Sequence, residues 1–227
     1  MTTRLCNMLA LVSMMIIGIE VHAAPLVVDF ENYPNTGVHA TVTSQGFNFA
    51  AVNGSTIAIA ANGSNCSPQC ATNGTSALAI GAPNLNPPTS APVQMTTAIY
   101  ASFRLTGLDF AELSHSAATG WSASTILMTG LLLGGGTIAQ ILDIDGLNDG
   151  PGGANDFQSA VLDSTWATSE LIGLQFAGFI GASANEAFQL DNIALDATRV
   201  LAVPEPGSLA LSGLGAAVLA GLRRRKG

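Results

Sequence analysis

The sequence predicts an all-β protein, an antiparallel β-sandwich with an apolar segment at each end of the chain. Between Leu26 and Asp196, short apolar or alternating runs are separated by clusters of Gly, Asn, Asp and Ser. Outside the two ends, no window keeps a helical period for more than two turns. Short strands at regular spacing with Gly-rich turns are typical of sandwiches, so one β-domain is expected.

The first segment, residues 1–23, has the layout of a secretory signal peptide. Arg4 supplies the positively charged start, and residues 9–19 form the apolar run. Val21-His22-Ala23 forms a cleavage site with small residues at the minus-three and minus-one positions. The mature chain is expected to begin at Ala24. Signal peptidase and the export machinery are therefore predicted partners, and the region is predicted to form a signal helix.

The mature body, residues 24–202, is predicted to fold as the single β-domain. The strands expected in it are 26–31, 46–50, 97–105, 107–113, 121–128, 131–133, 137–144, 157–162, 171–176 and 187–195. Hairpin-type turns are expected at Asn53-Gly54, Asn62-Gly63 and Asn73-Gly74. About 180 residues suffice for one domain with a core of its own.

The charge of the body excludes nucleic acid as a partner. Residues 24–202 contain two arginines, no lysine and 13 acidic residues, a formal net charge of −11. Such a body is repelled by phosphate backbones and by anionic membrane surfaces. A divalent cation, a basic partner or plain solubility outside the cell would suit this charge.

The cysteines agree with an oxidising compartment. Cys66 and Cys70 are the two cysteines of the mature chain, and Pro68 between them bends the segment. A local disulfide is predicted. Two thiols without neighbouring ligands do not make a metal site.

The last segment, residues 203–227, has three parts. Pro204, Glu205 and Pro206 form an extended stalk, and residues 208–222 are an uncharged apolar run. A basic cluster closes the chain, consisting of Arg223, Arg224, Arg225 and Lys226. At about 1.5 Å per residue, 15 residues span roughly 22 Å as a helix, short of a hydrocarbon core of roughly 30 Å. The sequence predicts a marginal transmembrane helix whose basic end stays in the cytoplasm.

This order of motifs resembles the PEP-CTERM sorting signal. The resemblance implies transient residence in the inner membrane, processing by exosortase near Pro204-Glu205-Pro206, and delivery to the surface or matrix of a Gram-negative bacterium that makes extracellular polysaccharide. An ordinary C-terminal tail anchor is the alternative.

The body itself resembles the jelly-roll ectodomains common among PEP-CTERM proteins. The similar stretches are Val28-Asp29-Phe30-Glu31, Gly46-Phe47-Asn48-Phe49, 103–110 and 188–195. Those ectodomains are in turn similar to carbohydrate-binding modules and galactose-binding-like domains. The resemblance implies a structural Ca²⁺ between Glu31 and Asp191. In the alternative interpretation, Asp191 and Asn192 shape a bulge and Glu31 faces solvent.

A second candidate calcium loop follows the predicted strand 137–144. It contains the oxygen ligands Asp143, Asp145, Asn148 and Asp149. The loop begins like an EF-hand but lacks its ligand at position five, its glycine at position six and its closing Glu, which rules out that motif. A solvated hairpin is the alternative.

No catalytic motif is present, and the chain is predicted not to be an enzyme. His115 lies close to Asp109 and Glu112, but a strand edge gives the same alternation. Trp121 and Trp166 are candidates for stacking on a sugar, or else for the core.

The function expected from these features is that of a structural or carbohydrate-binding module associated with exopolysaccharide or biofilm. Extracellular polysaccharide is the expected ligand class. A secreted glycan hydrolase is one alternative, since two of the 13 carboxylates would suffice for it. An adhesin that binds a protein is the other.

Overall fold

The computed structural model describes the β-rich body of the chain. The described residues are 23–33, 37–52, 57–61, 70–71, 73–80, 92–113, 122–146, 156–184 and 186–200. The predicted signal helix and the predicted C-terminal transmembrane helix lie outside these ranges. Within them, none of the helical structure has the length and apolar character needed to cross a membrane.

Fourteen strands and one short helix make up the described fold. The strands are β1 (Ala24–Val28), β2 (Gly37–His39), β3 (Thr41–Ser44), β4 (Phe47–Ala51), β5 (Ile57–Ala61), β6 (Ser76–Ile80), β7 (Val93–Thr97), β8 (Tyr100–Glu112), β9 (Thr125–Leu132), β10 (Thr137–Asp143), β11 (Gln158–Ser159), β12 (Leu171–Ile180), β13 (Ser183–Ala184) and β14 (Phe188–Arg199). Helix α1 (Ser164–Thr168) precedes β12. The predicted β-rich class is confirmed.

The strands form one antiparallel sheet that curls nearly into a barrel. Its main path runs β2-β5-β6-β14-β8-β12-β7-β4-β3, while β9 and β10 extend it from β12. The two ends of the path, β2 and β3, are separated in the chain only by Ala40. The chain therefore passes directly from one edge of the sheet to the other.

The two longest strands, β8 and β14, pair along most of their length and organise the sheet. The other side of β14 is shared between two partners. β6 pairs with 188–190, and β1 pairs with 193–197. The change of partner falls at Asp191 and Asn192, where the register with β8 also shifts.

Aromatic rings from opposite parts of the sheet meet in the core. Phe30 and Phe49 pack edge-to-face with centroids 5.2 Å apart, and Phe47 meets Phe103 at 5.3 Å. All four rings are fully buried. Phe47, Phe49 and Phe103 lie on strands whose alternate residues point inward, and Phe30 follows β1. The curled sheet thus encloses one large apolar cluster.

Several predicted boundaries are corrected by the pairing. The predicted strands 97–105 and 107–113 form the single strand β8 from Tyr100 onwards, since Gly107 continues the ladder opposite Ala194. The two strands predicted over 121–133 merge in the same way into β9. Asn73-Gly74 does not make a two-residue hairpin, because β5 and β6 are joined through all of residues 62–75. Asn53-Gly54 and Asn62-Gly63 lie outside the described residues.

Candidate functional site: a carboxylate network on the last strand

Asp191 is a fully buried carboxylate near the start of β14. Its Oδ2 accepts hydrogen bonds from Asn73 Nδ2 and Thr75 Oγ1, both at 2.9 Å. Its Oδ1 accepts the backbone N–H of Asn192 at 2.8 Å. Both carboxylate oxygens therefore have donors supplied by the protein, as burial of a charged group requires.

A second carboxylate stands directly across the ladder. Asp109 of β8 is the register partner of Asp191. Its Oδ2 accepts Asn192 Nδ2 at 2.9 Å, and its Oδ1 accepts Ser159 Oγ at 2.7 Å. Asn192 thus donates to both carboxylates, from its backbone to Asp191 and from its side chain to Asp109. Its φ of 46° is in the left-handed region, which the amide residue tolerates at this bulge.

Glu31 completes the network on the β1 side. It lies in the turn after β1, is exposed, and accepts the backbone N–H of Ser76 at its Oε1. Ser76 begins β6, and the preceding Asn73 and Thr75 bind Asp191. The segment 73–76 therefore connects Glu31 and Asp191, the two residues that the sequence singled out. It fills the junction where β14 changes partner from β6 to β1.

The environment of Asp191 favours its protonated form. Burial raises the pKa of Asp191 above its ordinary value, and the negative charge of Asp109 adds to the rise. The hydrogen bonds from Asn73, Thr75 and the Asn192 backbone act in the opposite direction but do not cancel the effect of burial on this pKa.

The calcium site that the resemblance implies between Glu31 and Asp191 stays a prediction. Calcium takes six to eight oxygen ligands, and both oxygens of Asp191 and Oε1 of Glu31 already accept hydrogen bonds from the protein. In the part of the chain that the structure describes, no group of three or more His, Cys, Asp or Glu is placed to hold a metal ion. The bulge at Asn192 and the exposure of Glu31 are features that the alternative interpretation also expects.

The second candidate calcium loop is described only in part. Asp143 ends β10, Asp145 follows it, and both are exposed. Asn148 and Asp149 lie outside the described residues. The loop therefore stays a prediction.

Of the two tryptophans, Trp166 is placed by the structure. It is 1 % exposed in α1 and packs over β9, where a Cβ at Gly130 would come within 2.9 Å of its ring. No ring face of Trp166 is open to a sugar, which corrects the stacking role for this residue in favour of the core. Trp121 lies outside the described residues.

Cys70 is disulfide-bonded and buried. Cys66, its predicted partner, lies outside the described residues, as does His115. Of the grouping of His115 with Asp109 and Glu112, the structure therefore describes the two carboxylates, both on β8. Asp109 accepts hydrogen bonds from Ser159 and Asn192, and Glu112 is buried.

An ion pair occupies the far end of the β8–β14 ladder. Glu170 accepts Ser102 Oγ at 2.6 Å and Arg104 Nε at 2.7 Å. The Ser102 hydrogen bond is the largest cause that lowers the pKa of Glu170, with Arg104 adding to it. Because both charged side chains are more than a third exposed, the pair contributes little to stability.

The comparison with protein families concerns the end of the chain. Residues 202–226 match the PEP-CTERM protein-sorting motif. The motif indicates an exosortase-sorted, exported protein and implies delivery to the cell envelope or surface. The match covers about a ninth of the chain and starts two residues after the last described residue, Val200. No curated protein and no solved structure matches the chain.

Sequence reasoning found Asp191 and Glu31 but missed the residues around them. Asp109, Ser159 and the segment with Asn73 and Thr75 come from three separate places in the chain, and only the folded sheet brings them together. The sequence signal that could have found part of this site is Asn73-Gly74-Thr75. The side-chain oxygen of Asn73 accepts the backbone N–H of Thr75 and so forms a turn. The side-chain NH₂ group of Asn73 can then donate to Asp191.

Proposed function

We propose that this PEP-CTERM protein is a non-enzymatic component of the cell surface or extracellular matrix. Its jelly-roll-like body serves there as a structural or carbohydrate-binding module in exopolysaccharide or biofilm. Exosortase removes the tail near Pro204-Glu205-Pro206 after the inner-membrane stage.

The observation that carries this proposal is the sorting motif immediately behind the folded body. Val200 is the last described residue after β14, and the match begins at 202. A body that is almost entirely β and has a charge of −11 suits a soluble extracellular module. The hydrolase alternative has no comparable support, since Asp109 and Asp191 are engaged by donors of the protein itself.

The sorting step is tested by the intact mass and the C-terminal peptides of the protein recovered from the outer surface of its host. We expect the mass to lack everything after the Pro-Glu-Pro region, with or without an added group. A mass that ends at Gly227 would make the tail a permanent anchor and would remove the main support for a matrix role.

The matrix role is tested by co-sedimentation of the mature protein with exopolysaccharide purified from the same host. We expect the protein to pellet with the polymer and the polymer to keep its length. Release of new reducing ends would favour the hydrolase, whereas binding only to surface protein would favour the adhesin.

A further inference from the structure

Both ends of the described chain leave the body at the same place. β1 begins at Ala24, which pairs with Ala197 near the end of β14. Val200 follows and donates its N–H to Ile99 O at 3.0 Å. The predicted signal peptide ends at Ala23, and the sorting motif begins at 202. The two segments expected to enter the membrane therefore join the body side by side.

We call this part of the surface the exit end and define it by Ile99, Leu133, Arg199 and Val200. Leu133 belongs to it through β12. Its N–H donates to Glu170 O at 2.9 Å, and Glu170 immediately precedes Leu171, the first residue of β12. Leu171 pairs with Phe103 of β8, which in turn lies opposite Ala197 of β14. The turns after β7 and β9 thus lie beside the point where the chain exits.

The length of the connecting chain limits how far this end can be from the membrane. Seven residues, 201–207, separate Val200 from the apolar run, and at most about 3.5 Å each gives roughly 25 Å in any conformation. A body of about 180 residues has a radius of gyration of about 16 Å and is thus roughly 40 Å across. The tether is shorter than the body, so the exit end must be the near face.

The composition of the exit end suits contact with lipid. Ile99, Leu133 and Val200 are large apolar side chains that are 46 %, 55 % and 55 % exposed. A cluster of exposed apolar residues on a soluble body marks an interaction surface more often than scattered single residues do.

The distribution of charged residues along the β8–β14 ladder also favours contact of the exit end with lipid. The two arginines of the body, Arg104 and Arg199, lie in the half of the β8–β14 ladder that ends here. Asp196 on the ladder and Glu170, the ion-pair partner of Arg104, offset their charge, so this half is close to neutral. Asp109, Glu112 and Asp191 lie in the other half without an arginine on the ladder. The net negative charge that would repel anionic lipid is therefore directed away from the exit end on this ladder.

From these observations we infer that the exit end rests on the outer face of the inner membrane while the tail is inserted, with Ile99, Leu133 and Val200 in the headgroup region and Arg199 facing anionic phospholipid. This inference rests on the membrane-inserted intermediate of the proposed function. The occupant of the surface is the lipid bilayer itself.

The test compares two sites of equal exposure at opposite ends of the body. Val200→Cys places a fluorescent label at the exit end, and Val52→Cys is the matched control. Val52 is 56 % exposed and follows β4 at the end away from Ile99. The full chain is reconstituted in vesicles of phosphatidylethanolamine and phosphatidylglycerol, and the wild-type chain, carried through labelling, is the blank for native cysteines.

We expect the label at 200 to be several-fold less accessible to the neutral quencher acrylamide than the label at 52, and to be quenched by lipids that carry spin labels on their headgroups. Ile99→Glu combined with Leu133→Glu should restore its accessibility, while Val52→Glu should not. Ile99→Cys gives an independent second probe should Val200→Cys fold poorly.

Equal accessibility of the two labels in chains that float with the vesicles would overturn the docking and leave the membrane stage intact. Failure of the wild-type chain to float with the vesicles would overturn both the docking and the membrane-inserted stage of the proposed function. The flotation assay therefore distinguishes a failure of the docking from a failure of the membrane stage.

Discussion

At the scale of single residues, Asp191 connects parts of the chain that are far apart in sequence. Its donors come from Asn73 and Thr75, which lie 118 and 116 residues away, and from the neighbouring backbone. A buried carboxylate of this kind costs free energy unless every acceptor is satisfied. The arrangement therefore specifies where β6 meets β14 more than it adds net stability.

The raised pKa of Asp191 makes stability depend on pH. Because the folded pKa lies above the ordinary value of 3.8, ionisation favours the unfolded chain. The stabilising contribution of Asp191 is complete below that ordinary value and is lost as the pH rises through the folded pKa. We expect the melting temperature of the wild type minus that of Asp191→Asn to be largest below pH 3.8 and to fall as the pH rises above it. The exposed Asp163→Asn variant serves as the control, and a difference that stays constant with pH for Asp191→Asn would contradict the argument.

Removal of the amide that binds Asp191 should destabilise the fold. Asn73→Ala takes a donor from a buried carboxylate, which costs about 1–3 kcal/mol in the free energy of unfolding. The control is Asn48→Ala, which breaks only the exposed hydrogen bond from Thr43 and should cost less than about 0.5 kcal/mol. Urea unfolding of both variants measures the two losses of unfolding free energy. Equal losses would show that the buried hydrogen bond to Asp191 contributes no more to stability than the exposed one.

At the scale of elements, the close approach of β12 to the start of β14 depends on a glycine without a side chain. A Cβ at Gly178 would lie 2.2 Å from the backbone oxygen of Glu186 and 2.8 Å from the ring of Phe188. A Cβ at Gly107 in β8 would meet nothing nearer than Ala194 at 3.8 Å. Two strand glycines thus differ completely in the space around them.

Gly178→Ala should therefore destabilise the protein by about 1–3 kcal/mol, because the backbone of residue 186 must move to admit the methyl group. Gly107→Ala should be neutral or slightly stabilising, since it fits and restricts the unfolded chain. Thermal melting of the two variants decides the matter, and a harmless Gly178→Ala would mean that the two strands are further apart than described.

The sequence predicted elements well where the apolar pattern is long, and poorly where pairing is decided by distant partners. β10 and β14 begin within one residue of their predicted starts, because alternation is unbroken there. The missed strands are short and their pattern of two to five residues carries too little signal; they are β2, β3, β5, β6, β7 and β13. The candidate site shows the same limit: Asp191 was visible in its motif, but Asp109 became its neighbour only through the register.

At the scale of the whole molecule, the sorting motif decides where the body goes. Replacement of Pro204, Glu205 and Pro206 by alanine should leave an uncleaved protein in the inner membrane, because it removes both Glu205 and the two prolines that hold the stalk extended. Ser208→Ala is the neighbouring control and should be released normally. Fractionation followed by immunoblotting of the membrane and surface pools makes the comparison, and normal release of the triple variant would refute the sorting assignment.

The passage through Ala40 from β2 to β3 has a consequence for contacts between copies of the protein. Unpaired strand edges recruit strands of other molecules, and the risk grows with the local concentration of the protein. Here the two edges at the ends of the main path are only three and four residues long, and they turn toward each other instead of outward. At these two edges the curled sheet offers little template for polymerisation by strand exchange between copies.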